Sequence, residues 1–333
     1  MSKEQIAIIG DGGWGTALGL ALLRNGHSVR IWGPFPEYIA RVRTSGENQD
    51  YLPGVRLPGE LEWTADRAQA VAKASVVVLA MPTKYFRTVL SSFTGLIPAQ
   101  ARVISVAKGL DGTDHRRMTE VAEGILNAGP VAALSGPSFA SEVAVGAPTA
   151  VVIASREAAL AHSLQAVFNS QKFRVYTSDD VIGVELGGTL KNVIAVGVGV
   201  SDGLGLGHNA RAALVTRGLA EITRIGVAMG AKADTFAGLS GMGDLVLTCT
   251  SRLSRNYSVG ERMGRGEKIA DILAGMKQVA EGVENSASAC SLAQHLSVPA
   301  PIAREVHAMV HEGKSPLAAV EALLGRDPKA ERG

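Results

Sequence analysis

Residues 6–17 read IAIIGDGGWGTA and carry the pattern G-x-G-x-x-G on Gly10, Gly12 and Gly15. Gly10 allows a tight turn, Gly12 lets the backbone approach a pyrophosphate, and Gly15 lets a helix pack closely against the strand. The apolar run before Gly10 is typical of a buried strand, and the helix that follows offers N–H donors and the positive end of its dipole to an anion. The stretch therefore predicts a dinucleotide-binding strand, turn and helix rather than an ordinary tight turn.

The second predicted strand lacks the residue that normally separates NAD from NADP. An Asp or Glu about 20 residues after the glycines favours NAD, whereas a nearby Arg favours NADP. Here the strand Ser28–Trp32 continues into a glycine and Pro34, and Glu37 and Arg41 come only later. We therefore expect NAD(P)H as the cofactor, with the choice between NAD and NADP left open.

Strand-like and helical segments alternate through the first half of the chain. Several apolar runs have consecutive apolar residues, as expected for strands covered on both faces. A helix is predicted at Thr16–Asn25, with Gly26 as its C-terminal cap. This alternation predicts an α/β fold with a Rossmann-type, doubly wound and mainly parallel sheet. The predicted strands are Ile6–Ile9, Ser28–Trp32, Val76–Ala80, Val103–Ala107, Val131–Leu134 and Ala150–Ala154.

Long helical patterns replace the strands after about Asp180. A chain of 333 residues favours two domains over one core. We therefore expect a dinucleotide-binding domain at 1–179 and an all-helical substrate and catalytic domain at 180–333. Predicted helices of the second domain include Arg211–Met229, Ser286–His295 and Ile302–Glu312.

The composition is that of a globular protein, with 46% hydrophobic and 19% charged residues. A formal charge of +2 gives no reason to expect a nucleic-acid or membrane-surface partner. The N-terminal residues do not have the pattern of a signal peptide, and no stretch reaches about 18 uninterrupted apolar residues. Cys249 and Cys290 lack metal-ligand spacing, so we expect no metal site and two buried, reduced thiols rather than a disulfide. A cytoplasmic location follows from these expectations.

Two segments follow predicted strands at the edge of the sheet where ligands bind. Lys108 comes directly after the predicted strand Val103–Ala107, and its ammonium group would project at that edge. Residues 134–140 read LSGPSFA; their small side chains leave space for a ligand, and Ser138 can donate a hydrogen bond. Taken alone, Lys108 is better explained as a solvated loop lysine, and residues 134–140 do not distinguish a ligand site from a proline-containing turn.

Residues 185–195 read ELGGTLKNVIA and predict a buried helix that contains a lysine. Helical spacing places Val184, Gly188, Lys191 and Ala195 on one face. Paired glycines weaken a helix by about 1 kcal/mol each relative to Ala, and they often indicate close approach of a backbone or ligand. A lysine in so apolar a setting is costly unless it is paired or neutral. We therefore interpret Lys191 as a functional residue; the alternative is a lysine that extends to the surface.

Two later segments carry the remaining candidate residues. Residues 241–245 read GMGDL, and Asp244 is suited either to cap a helix or to orient a lysine ammonium group, with Thr248 one helical turn further on. Residues 251–257 read SRLSRNY. Arg255 is suited to a phosphate because its guanidinium group binds oxyanions with two hydrogen bonds, although surface arginines are common.

Together these segments resemble the glycerol-3-phosphate dehydrogenase family in its bacterial single-chain form. They occur in the order of that family and cover nearly the whole chain. The resemblance implies a Rossmann-type N-terminal domain, a helical C-terminal domain, and a site in the cleft between them. The matching segments are Gly10–Ala17, Ala107–Gly109, Ser135–Ala140, Gly188–Ala195, Asp202–Arg211, Gly241–Thr250, Ser254–Asn256 and Val279–Gly282.

The resemblance also implies residue roles. Lys191 would be the proton acceptor or donor, supported by Lys108 and Asp244. Proline at position 34 departs from the polar or basic residue that is frequent in the family. The implied substrate-binding residues are Lys108, Gly136, Ser138, Lys191, Asp244, Ser254, Arg255 and Asn256, the last two at the phosphate. The implied cofactor-binding residues are Gly10, Gly12, Gly13, Trp14, Gly15, Pro34, Phe86, Lys108, Ala140, Arg255, Val279 and Glu281.

The reaction implied by the resemblance is reversible hydride transfer between sn-glycerol 3-phosphate and dihydroxyacetone phosphate. It would supply glycerol 3-phosphate for phospholipid synthesis, and a homodimer is consistent with the family. One alternative is a related 3-hydroxyacid dehydrogenase of the 6-phosphogluconate or 3-hydroxyisobutyrate type, which also uses a lysine. Another is a non-catalytic dinucleotide-binding sensor. Segments Gly241–Thr250 and Ser254–Asn256 favour the three-carbon phosphate.

Overall fold

A computed structural model describes residues 3–127, 129–276, 279–328 and 330–331. Its strands are β1 (Gln5–Ile9), β2 (Ser28–Trp32), β3 (Glu62–Thr64), β4 (Val76–Leu79), β5 (Arg102–Ser105), β6 (Ala132–Ser135), β7 (Thr149–Ala154) and β8 (Phe173–Ser178). They form one eight-stranded sheet in the order β3-β2-β1-β4-β5-β6-β7-β8. Only β6 and β7 pair antiparallel. The predicted α/β class and the mainly parallel sheet are confirmed.

The six predicted strands are present, with ends that differ by a residue or two. Strand β5 ends at Ser105, so Lys108 lies in the loop beyond the strand and not directly after it. Strands β3 and β8 were not predicted. The reason is clearest for β8, where buried Phe173 and Val175 alternate with exposed residues, because an edge strand lacks the continuous apolar run of a central one.

Helices cover both faces of the sheet. Alternate residues of β1 enter opposite apolar clusters: Ile6 and Ile8 pack on one side, and Ala7 and Ile9 on the other. The helices are α1 (Gly13–Arg24), α2 (Pro36–Ser45), α3 (Arg67–Val71), α4 (Thr83–Ser91), α5 (Met118–Leu126), α6 (Ala140–Ala144) and α7 (Ala158–Phe168). Just beyond the end of α1, Gly26 has a φ of +88°, as its predicted capping role requires.

Beyond Ser178, every regular element of the described residues is helical, as predicted. The Asp180 carboxylate caps the first helix of this region, because it accepts a hydrogen bond from the Gly183 amide at 2.9 Å. It accepts another from the Lys232 amide at 2.9 Å. The elements are α8 (Val181–Gly203), α9 (Gly207–Ala228), α10 (Ala233–Ala237), a π-helical turn (Leu239–Gly243), α11 (Asp244–Thr250), α12 (Arg255–Gly264), α13 (Ile269–Ala274), α14 (Glu281–His295), α15 (Pro301–His311) and α16 (Pro316–Leu324).

Helix α8 forms the centre of the helical region. It packs against α9, α11, α12 and α14 and also contacts β6 of the sheet. The crossing with α12 is tight: a Cβ atom on Gly199 would lie 2.1 Å from the Tyr257 carbonyl oxygen, and one on Gly260 would lie 2.0 Å from that of Val196. The two helices therefore meet backbone to backbone, which requires glycine on both.

The same helix is long and apolar enough to cross a membrane, if only length and composition are considered. Its most apolar window has a mean hydropathy of 1.5, and 89% of that window is buried inside the protein. Such burial is characteristic of a core helix, because its apolar surface is already covered by protein.

Both cysteines are free thiols, but they differ in exposure. Cys249 on α11 is buried, and burial raises the pKa of its thiol to about 12, so it stays protonated at neutral pH. Cys290 on α14 is only half-buried. The expectation of two buried thiols is therefore wrong for Cys290, which lies at the partly exposed side of its helix.

A buried ion pair connects the sheet region to α8. The Glu185 carboxylate lies 2.7 Å from Nη1 of Arg117, which precedes α5, and it accepts hydrogen bonds from the amide and hydroxyl groups of Thr119 at 3.0 and 2.7 Å. Burial raises the pKa of Glu185, while the positive charge of Arg117 and the Thr119 hydrogen bonds act in the opposite direction. The charge of Arg117 therefore favours the ionised form of the buried Glu185 carboxylate.

We expect Glu185→Ala to lower the free energy of unfolding by about 3 kcal/mol, because it removes the buried one of the two carboxylates that pair with Arg117, the other being Glu120 at 2.6 Å, and leaves the amide and hydroxyl groups of Thr119 without their acceptor. Urea denaturation followed by circular dichroism measures this loss. Glu267→Ala is the control, since its ion pair with Arg262 is exposed to solvent and we expect no measurable change there. Equal stability of the two variants would contradict the importance of the buried pair.

Candidate active site

Three charged side chains converge where the sheet meets α8. The Asp244 carboxylate, 1% exposed at the start of α11, lies 2.5 Å from Nζ of Lys191 and 2.6 Å from Nζ of Lys108. Lys191 is on α8, whereas Lys108 is in the loop after β5. Of the two roles considered for Asp244, the structure therefore shows the one in which it orients lysine ammonium groups.

The hydroxyl of Thr248 completes the surroundings of Lys191. It accepts a hydrogen bond from Nζ of Lys191 at 2.7 Å and donates its own proton to the Asp244 carbonyl oxygen at 2.6 Å. An ammonium group has three N–H bonds, and two of them bind Asp244 and Thr248. Within the described residues Nζ makes no third hydrogen bond, so one N–H remains for a ligand.

The protonation of Lys191 is shifted toward neutrality. The pKa of its ammonium group is lowered to about 8: burial is the main cause, the charge of Lys108 acts in the same direction, and Asp244 opposes the shift. The side chain is 6% exposed, so the alternative of a lysine that extends to the surface is wrong. At a pH of about 8 the amine and ammonium forms are about equally populated, which suits a group that both accepts and donates a proton.

The paired glycines of α8 bring its backbone close to its neighbours. A Cβ atom on Gly187 would lie 2.4 Å from the Ser240 carbonyl oxygen, and one on Gly188 would lie 2.4 Å from Oγ of Ser135. The predicted close approach is confirmed at both positions. The Cγ atom of Lys108 lies 3.5 Å from the same Cβ position, an ordinary van der Waals distance, so the conflict at Gly188 is with Ser135.

The loop that carries Lys108 is held from two sides. The ammonium group of Lys108 lies 3.4 Å from the Gly136 carbonyl oxygen. The same oxygen accepts a hydrogen bond from the hydroxyl of Ser138 at 2.9 Å. Asn285 of α14 donates to the Lys108 carbonyl oxygen at 3.0 Å. Sequence reasoning missed Asn285, because it lies among other polar residues of α14, such as Glu284 and Ser286, and nothing in the sequence distinguishes it from them.

Residues 254–256 begin α12 beside this cluster. Ser254 caps the helix, because its Oγ accepts a hydrogen bond from the Tyr257 amide at 3.2 Å. The amide oxygen of Asn256 accepts from the Gly282 amide at 2.8 Å. Arg255 is exposed and makes no hydrogen bond within the described residues, while its charge opposes the burial that raises the pKa of half-buried Glu281. A free guanidinium group at a helix N-terminus suits a phosphate.

The glycine-rich loop fits the pyrophosphate of a dinucleotide. Gly10 has a φ of +127°, and a Cβ atom there would lie 2.6 Å from the Ala80 carbonyl oxygen, so only glycine fits. Gly12 precedes α1 and supplies no side-chain cap, so the first N–H groups of that helix are open to an anion. The indole Nε1 of Trp14 is buried without a hydrogen-bond partner in the described chain.

The remaining candidate cofactor residues occupy different settings. Ala140 begins α6, Val279 and Glu281 are half-buried at the start of α14, and Pro34 is exposed between β2 and α2. Phe86 is the exception: it is 0% exposed and packs in the core beneath the sheet. Its ring packs among apolar side chains, and contact of Phe86 with the cofactor stays a prediction.

Among the described residues, no group of three or more His, Cys, Asp or Glu side chains is placed to hold a metal ion.

Comparison with known protein families shows to which family the chain belongs. Residues 5–161 match the family model described as NAD-dependent glycerol-3-phosphate dehydrogenase N-terminus, and residues 180–321 match the corresponding C-terminus. The chain belongs to this family. The resemblance proposed from the ordered motifs is therefore confirmed.

Curated relatives and a crystal structure agree with this membership. A glycerol-3-phosphate dehydrogenase (NAD(P)+) of Citrifermentans bemidjiense is 47% identical over 98% of this chain and 99% of its own. The Geobacillus kaustophilus protein of the same name is 45% identical over 98% and 96%. The glycerol-3-phosphate dehydrogenase of Coxiella burnetii superposes with a TM-score of 0.94 at 40% identity, over 97% of this chain and 99% of that one.

We expect Asp244→Asn to lower the pKa of Lys191 below about 8, because burial and the repulsion from Lys108 remain while the stabilising anion is lost. An NMR titration of the lysine ε-carbons measures this pKa, with the Lys191 signal assigned by its loss in Lys191→Arg. Asp234→Asn on α10 is the control, since its side chain is exposed, and it should leave the titration unchanged. An unchanged or higher pKa in Asp244→Asn would refute the assigned role.

Proposed function

We propose that this protein is an NAD(P)-dependent sn-glycerol-3-phosphate dehydrogenase, in which Lys191 transfers the proton. The observation that carries the proposal is a buried lysine whose pKa is lowered to about 8 and whose ammonium group retains one unused N–H within the described residues. Membership of the family and a glycine-rich loop that fits a dinucleotide support the same reaction.

The reaction removes a proton and a hydride from the C2 carbinol of glycerol 3-phosphate. The nicotinamide ring, when bound, exchanges the hydride with C2. In the oxidation direction the neutral Lys191 amine takes the hydroxyl proton, and a carbonyl group is left at C2. In the reduction direction the Lys191 ammonium group returns that proton to the carbonyl oxygen. A positioned base typically contributes about 10²–10⁴-fold to such a rate.

Asp244 and Lys108 support this proton transfer in different ways. The Asp244 carboxylate holds both ammonium groups and keeps the pKa of Lys191 from falling further. The positive charge of Lys108 stabilises the negative charge that develops on the substrate oxygen. When Lys191 is protonated, the three side chains carry one net positive charge, which favours an anionic substrate in a buried site.

The remaining assignments follow the positions of the side chains around this cluster. Arg255 and Asn256 are assigned to the substrate phosphate, because the Arg255 guanidinium group is exposed and unbonded at the N-terminus of α12. Further substrate contacts are assigned to Gly136, Ser138 and Ser254. Cofactor contacts are assigned to Gly10, Gly12, Gly13, Trp14, Gly15, Pro34, Phe86, Lys108, Ala140, Arg255, Val279 and Glu281.

The proposal extends to the organisation and cellular role of the protein. We place the domain boundary at 179/180, supported by the end of β8 at Ser178 and the start of α8 at Val181. A cytoplasmic homodimer that supplies glycerol 3-phosphate for phospholipid synthesis, without a nucleic-acid or membrane partner, is consistent with the family and with the near-neutral charge of +2.

The direct test is the initial rate of oxidation of NADH and NADPH by purified protein with dihydroxyacetone phosphate. Turnover with either cofactor supports the proposal. Oxidation of 6-phosphogluconate or 3-hydroxyisobutyrate by NAD(P)+, without activity on dihydroxyacetone phosphate, would instead support the hydroxyacid alternative. Cofactor binding without turnover of any of these substrates would support the sensor.

We expect Lys191→Ala to lower kcat by about 10²–10⁴-fold with little change in the Kd for NADH. The reason is that the proton donor is lost, whereas the glycine-rich loop that binds the cofactor is unchanged. Steady-state kinetics and fluorescence titration measure the two quantities. Lys232→Ala is the control, as this exposed lysine pairs with Asp179 away from the cluster. Near-normal turnover in Lys191→Ala would rule out Lys191 as the acid and base.

We expect Arg255→Ala to raise the KM for dihydroxyacetone phosphate by about tenfold or more, because a charge-assisted hydrogen bond to the phosphate is lost. Arg252→Ala is a matched control three residues earlier, where the guanidinium group is already paired with Glu261 at 2.9 Å. Unchanged KM values for both the phosphate substrate and the cofactor in Arg255→Ala would contradict the assignment.

A further inference from the structure

Asp11, inside the glycine-rich loop, has a carboxylate that the proposed reaction does not use. Its Oδ2 atom is buried and makes no hydrogen bond with the described residues. Burial raises the pKa of Asp11 to about 6, so the group is largely ionised at neutral pH. A buried charge without a partner is unfavourable, and its presence calls for an interaction outside the folded chain.

The carboxylate of Asp11 occupies the place of a missing side chain at Gly33. A Cβ atom built on Gly33 would lie 2.2 Å from Oδ2 and 2.6 Å from Cγ of Asp11. Gly33 directly follows β2, and Rossmann folds that prefer NAD carry an Asp or Glu at this strand end, where it binds the ribose 2′-hydroxyl. Asp11 therefore brings a carboxylate to the expected place from the neighbouring loop.

Other charges near this strand end do not cancel that of Asp11. The first arginine after β2 is Arg41, whose guanidinium group stacks over the Tyr38 ring at 5.1 Å and pairs with Asp50 at 3.4 Å. Glu37, in the first turn of α2, is exposed and adds a further negative charge. The first arginine after β2 is thus already in contact with an acidic residue and does not offset the charge of Asp11.

We propose that Asp11 replaces the missing acidic residue at the end of β2 and makes this enzyme prefer NADH over NADPH. Its carboxylate accepts a hydrogen bond from the adenosine 2′-hydroxyl and repels a 2′-phosphate. The inference rests on the proposed function, since it requires that the glycine-rich loop bind NAD(P)H. It explains how a chain with glycine and proline at the usual selectivity positions distinguishes the two cofactors.

The test is direct binding of each cofactor without substrate, measured by nicotinamide fluorescence. For Asp11→Asn, which keeps the shape and removes the charge, we expect the ratio of the NADPH Kd to the NADH Kd to fall by about tenfold or more. Glu37→Gln is the matched control, because it removes an exposed carboxylate from the same region without touching Gly33. It should change the ratio by less than about twofold.

A second pair of variants moves the carboxylate instead of neutralising it. Asp11→Ala should lose the preference for NADH, and the double variant Asp11→Ala/Gly33→Asp should regain it, because the acid then stands at the strand end itself. Melting temperatures verify that each variant is folded. If Asp11 had a purely structural role, the Kd ratio would be unchanged in Asp11→Ala. The double variant would then show no recovery of a preference, since none had been lost.

The outcomes separate this inference from the proposed function. If the unmodified protein binds neither cofactor, both fail together. If it binds them and turns over dihydroxyacetone phosphate while Asp11→Asn keeps the original Kd ratio, only the role of Asp11 is overturned. A shift caused by Glu37→Gln and not by Asp11→Asn would also overturn it, because the exposed acid would then determine cofactor choice.

Discussion

One buried carboxylate holds the site together. Asp244 lies between two ammonium groups that come from different parts of the chain, Lys108 beside the sheet and Lys191 on α8. Without this anion, two positive charges would face each other in a region from which water is largely excluded, and their repulsion would be poorly screened. The close approach of Lys191 and Lys108 therefore depends on a charge from α11, and that charge also opposes the lowering of the pKa of Lys191.

The packing around this carboxylate explains how the fold tolerates it. Buried ion pairs contribute little net stability, because the cost of removing water from the charges offsets their attraction. Stability has to come from the apolar clusters on both faces of the sheet and from the apolar core around α8. The tight crossing of α8 and α12 at Gly199 and Gly260 and the approach of Gly188 to Ser135 bring the charged residues together. Burial then lowers the pKa of Lys191 into the range in which it exchanges protons.

Those parts of the fold and site that depend on local sequence patterns could be predicted from the sequence. The central strands, the buried helix around Lys191 and the glycine-rich turn each occupy a continuous stretch with strong patterning, so their prediction was accurate. Edge strand β8 was not predicted because its exposed face is polar. The role of Asn285 was not predicted because its hydrogen bond reaches a carbonyl oxygen far along the chain. The contact of Phe86 with the cofactor stays a prediction of the family resemblance, and the structure adds that its ring is buried in the folded chain.

The sequence by itself determined the fold class, the family and the residue types available for chemistry, since these follow from periodicity, glycine spacing and ordered motifs. Only the tertiary structure decided which side chains meet: that Asp244 orients lysines instead of capping a helix, and that the Asp11 carboxylate lies at Gly33. The physical reason is the distance along the chain over which each effect acts. Backbone propensity acts over a few residues, whereas burial and charge pairing depend on distances between residues that are remote in the chain, and those distances exist only once the chain has folded.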